Sequence, residues 1–134
     1  MTEENKKANI AEELGRAEEA LGATELLYNG GFYKDAVGKL YYFLLYHVRA
    51  LLLSKGMEAK SHEGALRLFG LHFVKESVFA PDDSHLFARL MKFREEADYN
   101  PASLFTKKHF IELKREAVRL STSIKRHLRH AGYL

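Results

Sequence analysis

The chain has 134 residues, enough for one domain and too few for two independent cores. It is 46% hydrophobic, 29% charged and 12% aromatic, with two prolines, nine glycines and no cysteine. That composition excludes a disordered chain, a turn-rich sandwich or barrel, a disulfide framework and a cysteine nucleophile or thiolate metal site.

Basic residues number 21 and acidic residues 18, so the overall balance names no partner. The distribution is more telling: from Thr106 onward there are eight Lys or Arg and two Glu, which assigns any electrostatic steering to the carboxy-terminal segment. The polar, acidic start (Met1-Thr2-Glu3-Glu4) does not read as a secretory signal. With the missing cysteines, it points to a cytoplasmic protein.

Five helices are predicted. The first runs from Glu4 to Tyr28, where Ile10, Leu14, Ala17, Leu21 and Tyr28 recur at three- and four-residue steps. Asn29-Gly30-Gly31 ends it, since Asn and Gly accept the left-handed conformation. The second runs from Phe32 to Lys55 and is closed by Gly56. Ser61 caps a third that extends to Val74. Pro81-Asp82-Asp83-Ser84 reads as a turn and cap that starts a fourth helix reaching Tyr99. Asn100-Pro101 breaks it, and Thr106 caps a fifth that runs to His130. With no strand-like alternation, residues 1–134 are expected to form one all-α, up-and-down antiparallel bundle of four or five helices.

Three of these helices carry functional clues. In the second, Leu40 to Leu53 reads LYYFLLYHVRALLL, with only His47 and Arg49 ionisable. A helix apolar all round is buried all round. Fourteen residues with a central Arg are short for a bilayer span, so no membrane is expected. Core on one side and a two-fold homodimer interface on the other would cover it, or the third and fifth helices alone would.

In the fourth helix, Leu86, Leu90, Phe93 and Ala97 share a face that Phe87 and Met91 extend. Arg94 and Asp98 fall inside that arc, either as an i,i+4 ion pair at the core edge or as the charged lining of a pocket. In the fifth, Phe110, Leu113, Ala117, Leu120, Ile124 and Leu128 occupy one arc. Lys107, Lys108, Lys114, Arg115, Arg119, Lys125, Arg126 and Arg129 form a separate basic stripe with Ile111 and Val118 in its middle. This is a solvated face, or a surface for nucleic acid or an acidic protein.

Several chemistries find no support. Gly30-Gly31 lacks the spacing of a phosphate loop. His62-Glu63 begins like a zincin motif, but Leu66 stands where the second His would be. His127 and His130, like Asp82 and His85, are three apart, whereas a metal site needs three or four converging ligands. No metal or cofactor is expected.

One ordered set of short motifs remains: Leu40-Tyr41-Tyr42, Arg49-Ala50-Leu51-Leu52, Ser61-His62-Glu63-Gly64, Phe69-Gly70, Arg94-Glu95-Glu96-Ala97-Asp98-Tyr99 and Phe105-Thr106. From Gly31 onward the chain resembles a HEPN domain of the small stand-alone prokaryotic branch with an Arg-x-x-Ala-Asp-Tyr signature. The resemblance implies a helical bundle that dimerises. It also implies a minimal nucleotidyltransferase as partner, the two forming a toxin–antitoxin-like module. Many such domains are metal-independent ribonucleases whose Arg is followed, four to six residues on, by a His. The imidazole handles the 2′-hydroxyl proton and the guanidinium steadies the phosphate.

Arg94 matches that Arg, but the permitted His positions hold Tyr99, Asn100 and Pro101. Pro101 also stands where related toxins carry an adenylylated Tyr. Arg67 and His72 have the right spacing but lie in the third helix, away from the family's position.

The resemblance therefore implies a nucleotide- or RNA-binding protein without the usual dyad. Arg94 would contact phosphate, Asp98 would orient Arg94, and Tyr99 would offer a hydroxyl or a stacking surface. His62 either supports its cap or approaches Arg94, and Tyr41, Tyr42 and Arg49 either pack or join the site. One alternative is a diverged ribonuclease in which Tyr99, Asp98 or His62 replaces the missing His. The other is a structural module that holds an acidic partner through Lys107, Lys114, Arg115, Arg119, Arg126 and Arg129.

Overall fold

A computed structural model describes residues 1–99 and 106–134, and five α-helices and no strand occur among them. They are α1 (Glu3–Asn29), α2 (Tyr33–Ser54), α3 (His62–Phe69), α4 (Pro81–Tyr99) and α5 (Lys107–His130). The predicted break at Asn100-Pro101 and the motif residue Phe105 lie outside the described residues.

Local chemistry sets most boundaries. Thr2, Ser61 and Thr106 each accept a hydrogen bond from the backbone N–H three residues on, at Asn5, Gly64 and His109, which satisfies one free donor of α1, α3 and α5. Gly31 at φ +82° turns the chain from α1 into α2, and Gly56 at φ +73° ends α2.

Two boundaries differ from expectation. Pro81 is the first residue of α4 rather than part of a preceding turn; a proline fits there because that position has no N–H partner to lose. The Asp83 carboxylate accepts a 3.2 Å hydrogen bond from the Ala80 N–H and closes the start of the helix. The third helix does not run on as α-helix to Val74. It widens after Phe69 into a π-type turn, Gly70–Val74, closed by the Lys75 N–H on the Gly70 carbonyl at 2.8 Å. The wider turn accompanies the inward packing of Phe69, Phe73 and Phe79, which meet with ring centroids 5.6–6.3 Å apart.

The bundle is built around α2, which packs against α1, α3, α4 and α5. Leu40, Leu44, Val48, Leu51 and Leu52 are wholly buried within the single chain. Its apolar circumference is thus covered internally, and not by the third and fifth helices alone: α1 lies along it antiparallel and α4 along another side. Covering α2 does not require a second subunit. By length and composition its 22 residues could cross a membrane, but 72% of the apolar window is buried in the bundle, as in a core helix. The six predicted core positions of α5 are all buried, and so are Leu86, Phe87, Leu90, Met91 and Ala97 of α4. In α1 the buried line is Ile10, Glu13, Ala17, Ala20 and Thr24, with Leu14, Leu21 and Tyr28 half-buried beside it.

Among the buried residues is His47, 1% exposed, whose Nδ1 lies 2.9 Å from the Phe43 carbonyl and whose Nε2 has no partner. Burial pushes its pKa down to about 4 from the ordinary 6.5, and nearby Lys125 adds to this, while the Phe43 carbonyl and Glu18 oppose it. The folded state then binds fewer protons than the unfolded state between pH 6.5 and about 4. Stability should be complete above that window and fall as pH drops through it, by on the order of 1 kcal/mol per pH unit. Urea midpoints measured across the window should decline with acid in the wild type, and the decline should flatten in His47→Leu.

Candidate functional site

The residues singled out on three different helices meet at one edge of α2. Tyr41 and Tyr42 are adjacent in sequence but point differently. Tyr41 is fully buried and stacks on Phe87 at 5.8 Å, whereas Tyr42 is half-buried. The Arg94 guanidinium of α4 lies 5.5 Å from the Tyr41 ring and 5.7 Å from the Tyr42 ring, close enough for a cation–π attraction to both. It donates to the Tyr42 hydroxyl at 3.3 Å and pairs with Asp98 at 3.5 Å, one turn along the same helix. The Arg94 side chain is only 17% exposed and its Nε has no partner. Among the described residues this largely buried guanidinium has one ion-pair partner, the half-exposed Asp98 carboxylate, so its positive charge is only partly matched.

His62, the first residue of α3, closes the other side of the tyrosine pair. Its Nδ1 is 2.6 Å from the Tyr41 hydroxyl, and its ring lies 5.9 Å from Tyr42, edge to face. Burial, then Arg94, then Arg49 hold the imidazole below its ordinary pKa, with Glu95 opposing, so the neutral form is favoured near pH 7. Burial pushes the Tyr41 hydroxyl well above the usual phenol range, so it stays protonated. A phenol both donates and accepts, so Tyr41 supports either tautomer of the neutral ring.

From His62 an open groove of about 300 Å³ runs past Tyr42, Tyr46, Arg49, Lys60 and Ser61. It shares Arg49 and Ala59 with a second groove, between α1 and the end of α2, that holds Glu13, Arg16 and Met57. Glu13 is 6% exposed and bonds Arg16 at 3.1 Å and Arg49 at 3.5 Å, which fixes the Arg49 guanidinium where the two grooves join. Lys39, Tyr42, Tyr46 and Arg49 follow one helical line at steps of three and four residues, so this edge of α2 alternates cation and aromatic ring.

The cluster thus holds Arg94, Asp98, Tyr42 and His62, with Arg49 beside it, and Tyr41 serves as both core and support. Tyr99 does not join; it is 81% exposed at the end of α4. Arg67 and His72 stay apart from the cluster: Arg67 is exposed on α3, and the His72 carbonyl accepts from Lys55. Tyr46, Lys60 and Glu13 were not singled out from the sequence, although the spacing of Tyr46 to Tyr42 and Arg49 carried the signal for one of them.

The basic stripe of α5 is not uniform. Lys114 pairs with Glu25 and Lys125 with Glu18 across to α1, while Arg119 bonds the buried Asp83 of α4 at 3.0 Å. Lys107, Lys108, Arg115, Arg126 and Arg129 are exposed and make no ion pair among the described residues. No group of three or more His, Asp or Glu that could hold a metal comes together among the described residues. Chemically the cluster offers phosphate a guanidinium, bases an aromatic surface, and protons an imidazole.

The His62 environment can be tested directly. In proton NMR titrations His62 should titrate below 6.5, and replacing Arg94 with Gln should move it upward by removing a neighbouring positive charge. Arg49→Gln should act in the same direction with smaller effect.

The family profile for the HEPN domain matches residues 11–127. Two proteins of Methanocaldococcus jannaschii, each named as a candidate toxin, are 34% identical over 110 residues and 36% identical over 83 residues. These matches cover 82% and 62% of this chain, and 69% and 62% of those proteins. A Pyrococcus horikoshii protein that carries only a family designation of unassigned function (UPF0332) is 39% identical over 72 residues, 51% of each chain. The chain thus spans from about half to about two thirds of the length of these curated relatives.

Proposed function

The chain belongs to the HEPN domain family, and from that membership we propose that it binds RNA or a nucleotide at the Arg94 cluster. It would do so within a toxin-like module whose other member is a minimal nucleotidyltransferase. The carrying observation is the Arg94 guanidinium set against both the Tyr41 and Tyr42 rings, with Tyr42 and His62 in turn lining a groove flanked by Arg49 and Lys60. Arg94 receives a phosphate, Asp98 and the Tyr42 hydroxyl aim it, and Tyr42 and Tyr46 present ring surface to a base. The kinship to proteins named as candidate toxins supports a toxin-like role. A cytoplasmic homodimer is part of the same proposal.

A second reading is favoured by one observation, the 2.6 Å contact between Tyr41 and His62. It brings an oriented, largely neutral imidazole to the cluster that holds Arg94, from α3 rather than from the usual place after the Arg. In this reading His62 Nε2 takes the proton of a ribose 2′-hydroxyl as that oxygen bonds to phosphorus. The P–O5′ bond breaks, the leaving 5′-oxygen takes a proton from water, and the hydroxide so formed takes the proton from the His62 imidazolium, which returns to its neutral form. Nδ1–H then donates to the Tyr41 oxygen.

One pair of assays separates the readings. In fluorescence anisotropy with a labelled single-stranded RNA, Arg94→Ala should weaken binding tenfold or more, since a hydrogen bond to a charged partner is worth about 1.5–3 kcal/mol. Affinity should also fall steeply with added salt. With RNA in EDTA, the binding reading expects intact RNA. Cleavage lost in both Arg94→Ala and His62→Ala would instead establish the second. Unchanged RNA affinity in Arg94→Ala, together with RNA left intact by the wild type, would overturn both.

A further inference from the structure

The outward face of α5 is a second surface, independent of the Arg94 cluster. Ile111, Arg115, Val118, Thr122, Arg126 and Arg129 follow one line along the helix, opposite the buried arc of Phe110, Leu113, Leu120 and Leu128. The line is about 27 Å long at 1.5 Å per residue. Ile111 is 46% exposed and Val118 37%, one above the other two turns apart. Arg115, Arg126 and Arg129 are exposed and form no ion pair among the described residues. The cations beside the line, Lys114, Lys125 and Arg119, are already matched by Glu25, Glu18 and Asp83. The bundle therefore uses the flanks of α5 to hold itself together and leaves the outermost line unmatched in charge and partly apolar.

We propose that this line is a docking surface for an acidic amphipathic helix of another protein, with aliphatic side chains at seven-residue spacing set against Ile111 and Val118 and carboxylates against the three arginines. Four features select that occupant. The two aliphatic residues sit at the spacing of a helix–helix seam, and the charges on the line itself, Arg115, Arg126 and Arg129, are all positive and demand the opposite sign on the partner. Nucleic acid is disfavoured because the line holds no aromatic ring to stack a base, whereas the α2 edge holds two, Tyr42 and Tyr46. A second copy is disfavoured because two-fold pairing of this face would set arginines against arginines.

The test uses the full chain and a designed three-heptad helical peptide with Leu at every seventh position and Glu on both sides, followed by anisotropy. Wild type should bind this peptide, and the same peptide with each Leu replaced by Ser should bind at least fivefold more weakly. Combined Arg115→Glu, Arg126→Glu and Arg129→Glu should cost at least tenfold. Ile111→Ser with Val118→Ser should cost about fivefold and, by keeping every charge, remains informative if the triple variant fails to fold. Arg94→Ala should leave peptide binding unchanged while lowering RNA affinity, so that failure here and failure of the RNA-binding reading are told apart.

Equal binding of the Leu and Ser peptides would overturn the proposal in favour of charge attraction alone. Loss of single-stranded RNA binding in the triple variant would reassign the face to nucleic acid. Dissociation of a wild-type dimer by the triple variant, seen in sedimentation velocity, would reassign it to a second copy.

Discussion

A helix as apolar as α2 is from Leu40 to Leu53 has to be covered on nearly every side, and the structure is arranged around meeting that demand for this helix. Its four partners leave one narrow edge open, the line of Lys39, Tyr42, Tyr46 and Arg49. Everything with chemical potential near α2 gathers there, because a polar group elsewhere on the helix would have to be buried among apolar side chains. His47 is the exception that shows the cost. It sits inside, gives one nitrogen to the Phe43 carbonyl, leaves the other unpaired, and stays neutral over the physiological range.

The same constraint shapes Arg94. A mostly buried guanidinium with one weakly held carboxylate and an unpartnered Nε is not what stability alone would select, since an apolar residue of that size would pack without desolvating a charge. The tyrosine rings offset part of the penalty, and the Tyr42 hydroxyl accepts one hydrogen bond. What is left is positive charge beside Tyr42, itself a wall of the groove that His62, Arg49 and Lys60 line, the electrostatic condition for holding an anion. Glu13 makes the complementary arrangement for Arg49. It is itself buried, and its pKa is raised by that burial while both arginines oppose the rise. Glu12 and Glu13 together hold Arg16, and Glu13 alone among the described residues pairs with Arg49, at the longer distance of 3.5 Å.

The helices were legible because their signals are local. Periodicity placed the apolar arc of α5 residue by residue, and Thr106, Ser61 and the Gly31 turn act where their side chains or missing side chains dictate. The Pro81 start was harder. Proline before two acids suits a turn and a first helical residue equally well, and the choice falls to the Asp83 carboxylate, which both caps α4 and receives Arg119 from α5. The π-type turn after Phe69 follows from tertiary packing of three phenylalanines, which no window of sequence displays. In the cluster, Arg94 and Asp98 could be paired by their spacing on one helix. His62, 21 residues from Tyr41 and on another helix, could be tied to them only through the family resemblance. The ion pairs within the basic stripe were not legible for a related reason: a helical wheel displays the charges of one helix and none of the carboxylates that α1 and α4 bring to meet them.

The two open surfaces of this bundle differ in what accompanies their cations. Along α2 the companions are tyrosines, an imidazole and a groove. Along the outermost line of α5 they are an isoleucine and a valine, with open grooves only at the flanks of the helix. Rings and concavity suit planar, phosphate-bearing ligands, while exposed aliphatic groups at helical spacing suit another helix. The helices that carry the two surfaces are packed together in one core: Asp83 at the start of α4 receives Arg119 of α5, and Arg94 farther along the same helix faces the tyrosines, so the fold sets where each surface lies while the chemistry of each belongs to its own side chains.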